Sequence, residues 1–309
     1  MNWKVKAWIQ NAIARLPSGA SYATYYFVQR HLGGLREVSP MSRLAAGVRM
    51  ARYIEQEGRT VEGKTFLEVG TGHELNLPIA LWLLGAGRVV TVDVNPYLKA
   101  ELVFEDVGYM REHAEEVGRL FEGAGSAVFG ERFGRLMEGG KELEGLLAMT
   151  GIEYRAPADA TRLEMEDGSV DYHVSFATLE HIPPRTLAEV LREGKRLVGG
   201  DGLLVHWVDF SDHFSHSDRS IGAIHFLRFS DEEWERLAGN RYMYDNRLRV
   251  DDVVGLFAEA GLRVMAVDGT VDEEAVEALR RGFVVDGKFG GKGAEVNGTV
   301  GAWVVAAGS

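Results

Sequence analysis

The spacing of apolar positions changes twice along this chain. Trp3, Val5, Trp8, Ile9, Ala12 and Leu16 recur at roughly helical intervals, with Lys4, Lys6 and Arg15 between them. Pro17-Ser18-Gly19 breaks that pattern. A second, aromatic-rich helical piece is predicted over 22–32. A third covers 41–57, with Leu44, Val48, Ala51 and Ile54 three and four apart. From residue 65 the pattern becomes strand-like. Phe66-Leu67-Glu68-Val69 is a short apolar run that stops at Gly70-Thr71-Gly72. A helix follows over 75–84, closed by Gly85, and a β-branched run over 89–92 ends on Asp93. Strand, glycine turn, helix, strand, acid predicts a βαβ unit that holds a nucleotide-like ligand. The glycines let the backbone approach the ligand, and the acid can accept hydrogen bonds from ribose hydroxyls.

Downstream, residues 97–150 form a charged, glycine-punctuated stretch that reads as helices, with breaks at 123–125 and at Gly139-Gly140. It is longer than a minimal connection needs, so it is an insertion of the kind that shapes a site mouth or an oligomer face. Strands are expected at 152–156, 170–177 and 203–210, with a helix over 187–198. His173 falls mid-strand and is expected in the core, and His113 is expected to face solvent.

Composition narrows the chemistry. The 309 residues contain no cysteine, which removes disulfides, thiolate metal sites and thiol nucleophiles. Net charge is −12, divided unevenly: residues 1–64 carry ten Lys/Arg against four Glu, a balance of +6, so the rest carries −18. So acidic a body disfavours a nucleic-acid partner. No apolar run reaches the ~20 residues of a membrane span, and the N-terminus does not read as a signal peptide; a cytoplasmic location is expected. The Trp/Lys helix at the N-terminus has the composition of an interfacial anchor, but three cations are few for that role, and packing across the site mouth or sheet edge is the preferred reading.

Four features in order carry a family resemblance. They are Gly70-Thr71-Gly72 after a strand, Asp93 at the next strand's end, Ala158-Asp159-Ala160, and Leu179-Glu180-His181-Ile182 after the fourth strand. Together they resemble the class I S-adenosylmethionine-dependent methyltransferases, clearly over about 64–210 and more loosely over 250–267 and 299–307. The resemblance implies an α/β, Rossmann-like fold: a seven-stranded, mostly parallel sheet with helices on both faces. Residues 1–63 would be a helical N-terminal extension, and 64–309 the methyltransferase domain, with insertions at about 97–150 and 211–250. It further implies Glu68 near the methionine amino group, the backbone of Gly70 and Gly72 against the cofactor, and Asp93 on the ribose. Asp159 would bond the adenine amino group with the Ala160 amide facing the ring, and Ala177 and Thr178 would flank the methionine tail. Glu74 stands where the family often has a third glycine. A dinucleotide dehydrogenase is the alternative, but its fingerprint wants glycine where this chain has Leu75.

The acceptor is sought between 203 and 249. His206, His213, His216 and His225 fall there with Asp209, Asp212 and Asp218, just past a central strand. A histidine beside an acceptor hydroxyl can take its proton during in-line transfer, with a carboxylate fixing its tautomer. His213 with Asp212, or with Asp209, is the preferred base, and His181 competes. A divalent ion on this cluster is conceivable and not favoured, so no metal ligand is assigned. Arg228, Arg247 and Arg249 are expected to pair with acids rather than bind an anionic acceptor, and the nearby aromatics to form a lid core. The chain is therefore expected to methylate a hydroxyl of a small molecule or saccharide, a non-catalytic cofactor-binding scaffold being the other alternative.

Overall fold

The computed structural model describes residues 1–124 and 127–308; of the glycine break at 123–125, Gly125 lies outside them. Three helices come first: α1 (Trp3–Ala14), α2 (Ser18–Leu32) and α3 (Met41–Gln56). Strand β1 (Thr65–Val69), helix α4 (Asn76–Leu83) and strand β2 (Arg88–Val92) form the βαβ unit. The first insertion holds α5 (Ala100–Glu112), α6 (Ala114–Phe121), α7 (Phe129–Glu138) and α8 (Leu143–Thr150). Then come β3 (Ile152–Arg155), β4 (Val170–Phe176), α9 (Pro184–Leu197) and β5 (Val198–Asp209). The second insertion carries α10 (Asp231–Ala238) and leads to α11 (Val250–Glu259) and β6 (Leu262–Val271). Short helices α12 (Glu273–Arg280), α13 (Gly287–Gly290) and α14 (Ala294–Gly298) precede β7 (Thr299–Gly308).

The seven strands lie in the order β3-β2-β1-β4-β5-β7-β6. All neighbours are parallel except β7, which runs antiparallel to both β5 and β6. This is the expected Rossmann-like sheet, and its order reverses between β1 and β4. In such sheets the ligand crevice opens at the carboxyl ends of the strands flanking the reversal.

Alternation along the strands sorts the core into two layers. Phe66, Val89, Tyr172, Val174, Leu203 and Val205 face α3, α4 and the helices of the first insertion. Leu67, Val69, Val90 and Val92 pack with Val190 and Leu197 of α9 on the other face, and Leu204, Val208 and Val304 meet α9 and α11. Helix α4, Asn-Leu-Pro-Ile-Ala-Leu-Trp-Leu, is buried along its whole length, which explains its all-round apolar sequence. It lies against α3, where a Cβ built on Gly47 would fall 2.6 Å from that of Ala80; glycine sets this close crossing.

The N-terminal helices divide their loyalties. While α3 belongs to the main core, α1 packs into the second insertion: Trp3 and Ala7 share a core with Phe214, Phe226, Leu227, Trp234 and Met243. Helix α1 thus packs on the second insertion, although Trp8 on its far side is 71% exposed. Of the lid aromatics, Phe214, Phe226 and Trp234 form that core, whereas Trp207 and Phe210 join the cores of the sheet. Arg247 pairs with Asp231, but the arginine-to-acid expectation fails for Arg249: its fully buried guanidinium donates to the carbonyls of Phe210 (2.7 Å), Asn297 (2.9 Å) and Thr299, tying the lid to the sheet end. Among the described residues no helix is long and apolar enough to cross a membrane.

Candidate active site

The turn after β1 is built to stay open. Gly70 (φ +94°) and Gly72 (φ +70°) both take left-handed backbone, and the amide of Gly70 donates to the Val92 carbonyl at 2.8 Å. A Cβ on Gly70 would come within 2.3 Å of Thr178 Oγ1, so the loops after β1 and β4 touch there; one on Gly72 would meet nothing within 4 Å. Asp93 sits opposite. Its Oδ2 accepts from the Gly72 amide and its Oδ1 from that of Asn95, both at 2.9 Å, leaving further lone pairs on each oxygen. Burial raises its pKa against those amides.

Glu68 is the penultimate residue of β1 and is fully buried. Its register neighbour on β2 is Thr91, whose hydroxyl donates to Glu68 Oε2. Burial lifts its pKa to about 7, resisted by Thr91 and by the charge of Arg43 and assisted by Asp93. Glu74, in place of a third glycine, binds the Asn76 amide (3.1 Å), which also donates to Asp106 on α5 at 2.8 Å, so the turn is tethered to the first insertion. Asp159 is exposed, with Oδ1 accepting from the Thr161 amide and hydroxyl; those bonds hold its pKa low and leave Oδ2 free of them. Ala160 follows, half-buried. Ala177 takes φ +52°, unusual for a residue with a Cβ and typical of strained positions at functional sites.

Two contributors are not marked in the sequence. Arg43 of α3 stacks its guanidinium 6.0 Å from the Phe176 ring, and among the described residues it has no hydrogen-bond or ion-pair partner. Helix α2 supplies Tyr22, which donates to Asn95 (3.1 Å) and meets Tyr97, and Tyr26, which with Tyr97 brackets His73. Burial, then Lys99 and Arg43, push His73 down to about 4.

The histidines separate. His206 belongs to the sheet core, hydrogen-bonded to Ser175 (2.7 Å) and His173 (3.1 Å). Asp212 is parted from His213: its Oδ2 faces His225 at 3.1 Å and its Oδ1 accepts from the Phe214 amide, within the lid core. The carboxylate beside His213 is Asp209, whose Oδ2 lies 3.4 Å from Nε2. His181 joins them, its ring centre 5.0 Å from that of His213. His181 Nδ1 lies 2.7 Å from the Tyr244 carbonyl, which can only accept; Nδ1 therefore carries the proton and Nε2 the lone pair. The lid strap is stapled here by Asn246, whose side chain donates to the carbonyls of Leu179 and Ile182, both at 2.9 Å.

Glu180 and Asp245 complete this cluster, and neither had a role from sequence. Burial raises Glu180 to about 8, against the pull of His213, and raises Asp245 to about 6. For His213, burial lowers the pKa, but Asp209, Asp245 and Glu180 outweigh it and raise it to about 9. His181 has an exposed edge, yet the crowding of its ring and the charge of His213 lower it to about 4.

Residues 142–206, from the start of α8 through most of β5, match the sequence profile of a methyltransferase domain. S-adenosylmethionine is the chain's cofactor, and the open side of Gly72, the paired acceptors of Asp93 and the unpartnered Arg43 are a set that fits it. Among solved structures the chain is similar to the PH0226 protein of Pyrococcus horikoshii (13% identity, 84% of this chain and 90% of that one, TM-score 0.45). A SAM-dependent methyltransferase of Methanosarcina mazei gives 15% identity, 82% and 96% coverage and TM-score 0.43. The magnesium protoporphyrin IX methyltransferase of Synechocystis, solved with bound SAH, gives 12%, 86% and 83%, and 0.43. The strand order, rather than these scores, carries the fold. None of the curated proteins matches the chain.

Proposed function

We propose that this domain methylates a hydroxyl group of a small molecule or saccharide. When bound, S-adenosylmethionine supplies an electrophilic methyl group on its sulfonium. Asp93 takes the ribose hydroxyls on its remaining lone pairs, and Asp159, with the Ala160 amide, takes the adenine. Glu68 meets the ammonium and Arg43 the carboxylate of the methionine end, which Ala177 and Thr178 flank.

The observation that carries the reading is the convergence of His181, His213, Glu180, Asp209 and Asp245 just beyond the carboxyl ends of β4 and β5. A hydroxyl must lose its proton as it gains a methyl group, and this cluster holds proton acceptors within a few residues of Thr178. In the metal-free chain His181 accepts that proton, because Tyr244 holds Nδ1–H and leaves Nε2 with its lone pair. His213, its Nε2 against Asp209, positions the hydroxyl. The sequence preference for His213 as base is thereby revised in favour of its competitor. The dehydrogenase reading has less support: Leu75, where the dinucleotide fingerprint has glycine, is fully buried in the core.

Labelled S-adenosylmethionine incubated with a metabolite and oligosaccharide extract tests the proposal. Wild-type protein is expected to label a hydroxyl. Asp93→Ala should lose binding of S-adenosylhomocysteine, while His181→Ala and His213→Ala keep it and slow transfer by about 10²-fold or more. Undiminished turnover in both histidine variants sinks the proton-transfer role. Cofactor binding without any labelled product leaves the scaffold reading standing.

A further inference from the structure

We propose that Glu180, His181 and His213 form a binding site for one divalent transition-metal ion, a site that sequence reasoning did not assign. Each of the three offers a ligand atom, and these atoms all lie within 4.8 Å of one another. Bonds of about 2.0–2.2 Å to a central ion place such atoms roughly 3–4 Å apart, so a small inward movement closes the set.

The carboxylates supply independent support. Glu180 is 1% exposed, and neither of its oxygens has a hydrogen-bond partner. Buried polar atoms are almost always paired, and a carboxylate with both oxygens unpaired is costly to hold away from water. Asp245 repeats the feature: it too is buried, and its Oδ2 has no partner. Asp209 directs Oδ2 at His213 from 3.4 Å. Among the described residues no Lys or Arg forms an ion pair with any of these three carboxylates: His213 and, at 4.0 Å, His216 face Asp209, while Arg247 and Arg249 act on Asp245 only at longer range, and none of these groups hydrogen-bonds a Glu180 oxygen. A divalent cation supplies the missing positive charge and the missing partners for Glu180 together.

Local hydrogen bonding fits the same purpose. A metal-ligating histidine characteristically donates its other ring nitrogen to a carbonyl or carboxylate, which fixes the ring. His181 does so to Tyr244 at 2.7 Å, leaving Nε2 as the donor atom. Two imidazoles and one carboxylate suit Zn²⁺, Mn²⁺, Fe²⁺ or Co²⁺; Mg²⁺ and Ca²⁺ prefer all-oxygen sets. Three protein ligands leave coordination positions for an acceptor oxygen, whose hydroxyl proton is lost more readily on the ion. That last role rests on the methyl-transfer reading; the ion site itself does not.

The test uses the tag-free full chain stripped with chelator. Titration with MnCl₂ followed by electron paramagnetic resonance, and with CoCl₂ followed by visible absorption, should give one saturable ion per chain. Glu180→Gln and His181→Ala should each weaken binding at least tenfold, whereas His216→Ala, an exposed neighbour, should not. Retained S-adenosylhomocysteine binding reports that each variant is folded, and either of the two ligand variants suffices if the other does not fold. No saturable ion in wild type, or equal binding by both ligand variants, overturns the site. Methyl transfer that persists in chelated, ion-free protein would then stand by itself. One bound ion without transfer to any acceptor would keep the site and remove the methylation reading.

Discussion

Glu68 places an ionisable carboxyl where a neutral group would fold more easily. Its pKa of about 7, against 4.5 for an ordinary glutamate, reflects burial first. The sign of the linkage follows directly. The unfolded chain releases this proton near 4.5 and the folded chain holds it to about 7, so the stabilising contribution is complete below 4.5 and lost as pH rises through 7. Glu68→Gln should therefore be the more stable protein at pH 8, by on the order of 2 kcal/mol, or several degrees of melting temperature. The same variant should bind S-adenosylhomocysteine less well, because the ionised carboxylate is the proposed partner of the ammonium. The wild-type advantage in affinity should shrink several-fold between pH 8 and pH 6 as Glu68 takes up its proton. Calorimetry on both proteins at the two pH values checks this, and a pH-independent affinity ratio would count against the assignment.

At the scale of elements, the two glycines of the first turn separate fold from binding. Gly70 lies where β1 and β4 hand over to their loops, and any Cβ there collides with Thr178. Gly70→Ala should lose about 1–3 kcal/mol, from that collision and the left-handed backbone together. Gly72→Ala meets no protein atom within 4 Å, so its loss should come from the left-handed backbone alone, about 1 kcal/mol, without the collision that adds to it at Gly70, while cofactor affinity falls because the methyl group fills the open side of the turn. Thermal melts and cofactor titration of both variants decide it; equal melting losses would mean that Gly72 is structural too. This turn was legible in sequence because every part of it is local: an apolar run, two glycines, a buried helix and an acid at the next strand's end. The histidines were not, because their neighbours are set by packing between distant elements. His206 falls in the core through strand register with Ser175, and Asp212 meets His225 rather than the adjacent His213. Arg43 reaches Phe176 from a helix more than a hundred residues away, and no periodicity marks it. Glu180 stood inside a recognised motif, but its unpaired state appears only once the lid strap at Asp245 and Asn246 has folded over it.

The molecule as a whole couples its first residues to its proposed acceptor side through one small core. Trp3 is 7% exposed, with ring centres 4.9 Å from His225 and 5.8 Å from Phe214, and its amide donates to Asp218 at 2.8 Å. Lys6 reaches Ser217 Oγ at 3.1 Å and the His213 carbonyl at 3.5 Å. Helix α1 thus braces the very loop that carries His213, while α2 meets the turn after β1 through Tyr26 and the second insertion through Tyr25, stacked 3.8 Å from Tyr242. Removing the indole from this core should cost about 3–5 kcal/mol of local packing, borne by the lid rather than by the central sheet. Trp3→Ala is accordingly expected to speed protease cleavage within 211–229 and to lower methyl transfer, with affinity for S-adenosylhomocysteine within about twofold of wild type, a difference under ~0.5 kcal/mol. Peptide mapping of a timed digest, beside a cofactor titration, checks both halves. Unchanged cleavage between 211 and 229 would show that the lid holds its shape without α1, and a parallel loss of cofactor binding would show that the two ends of the site are one cooperative unit.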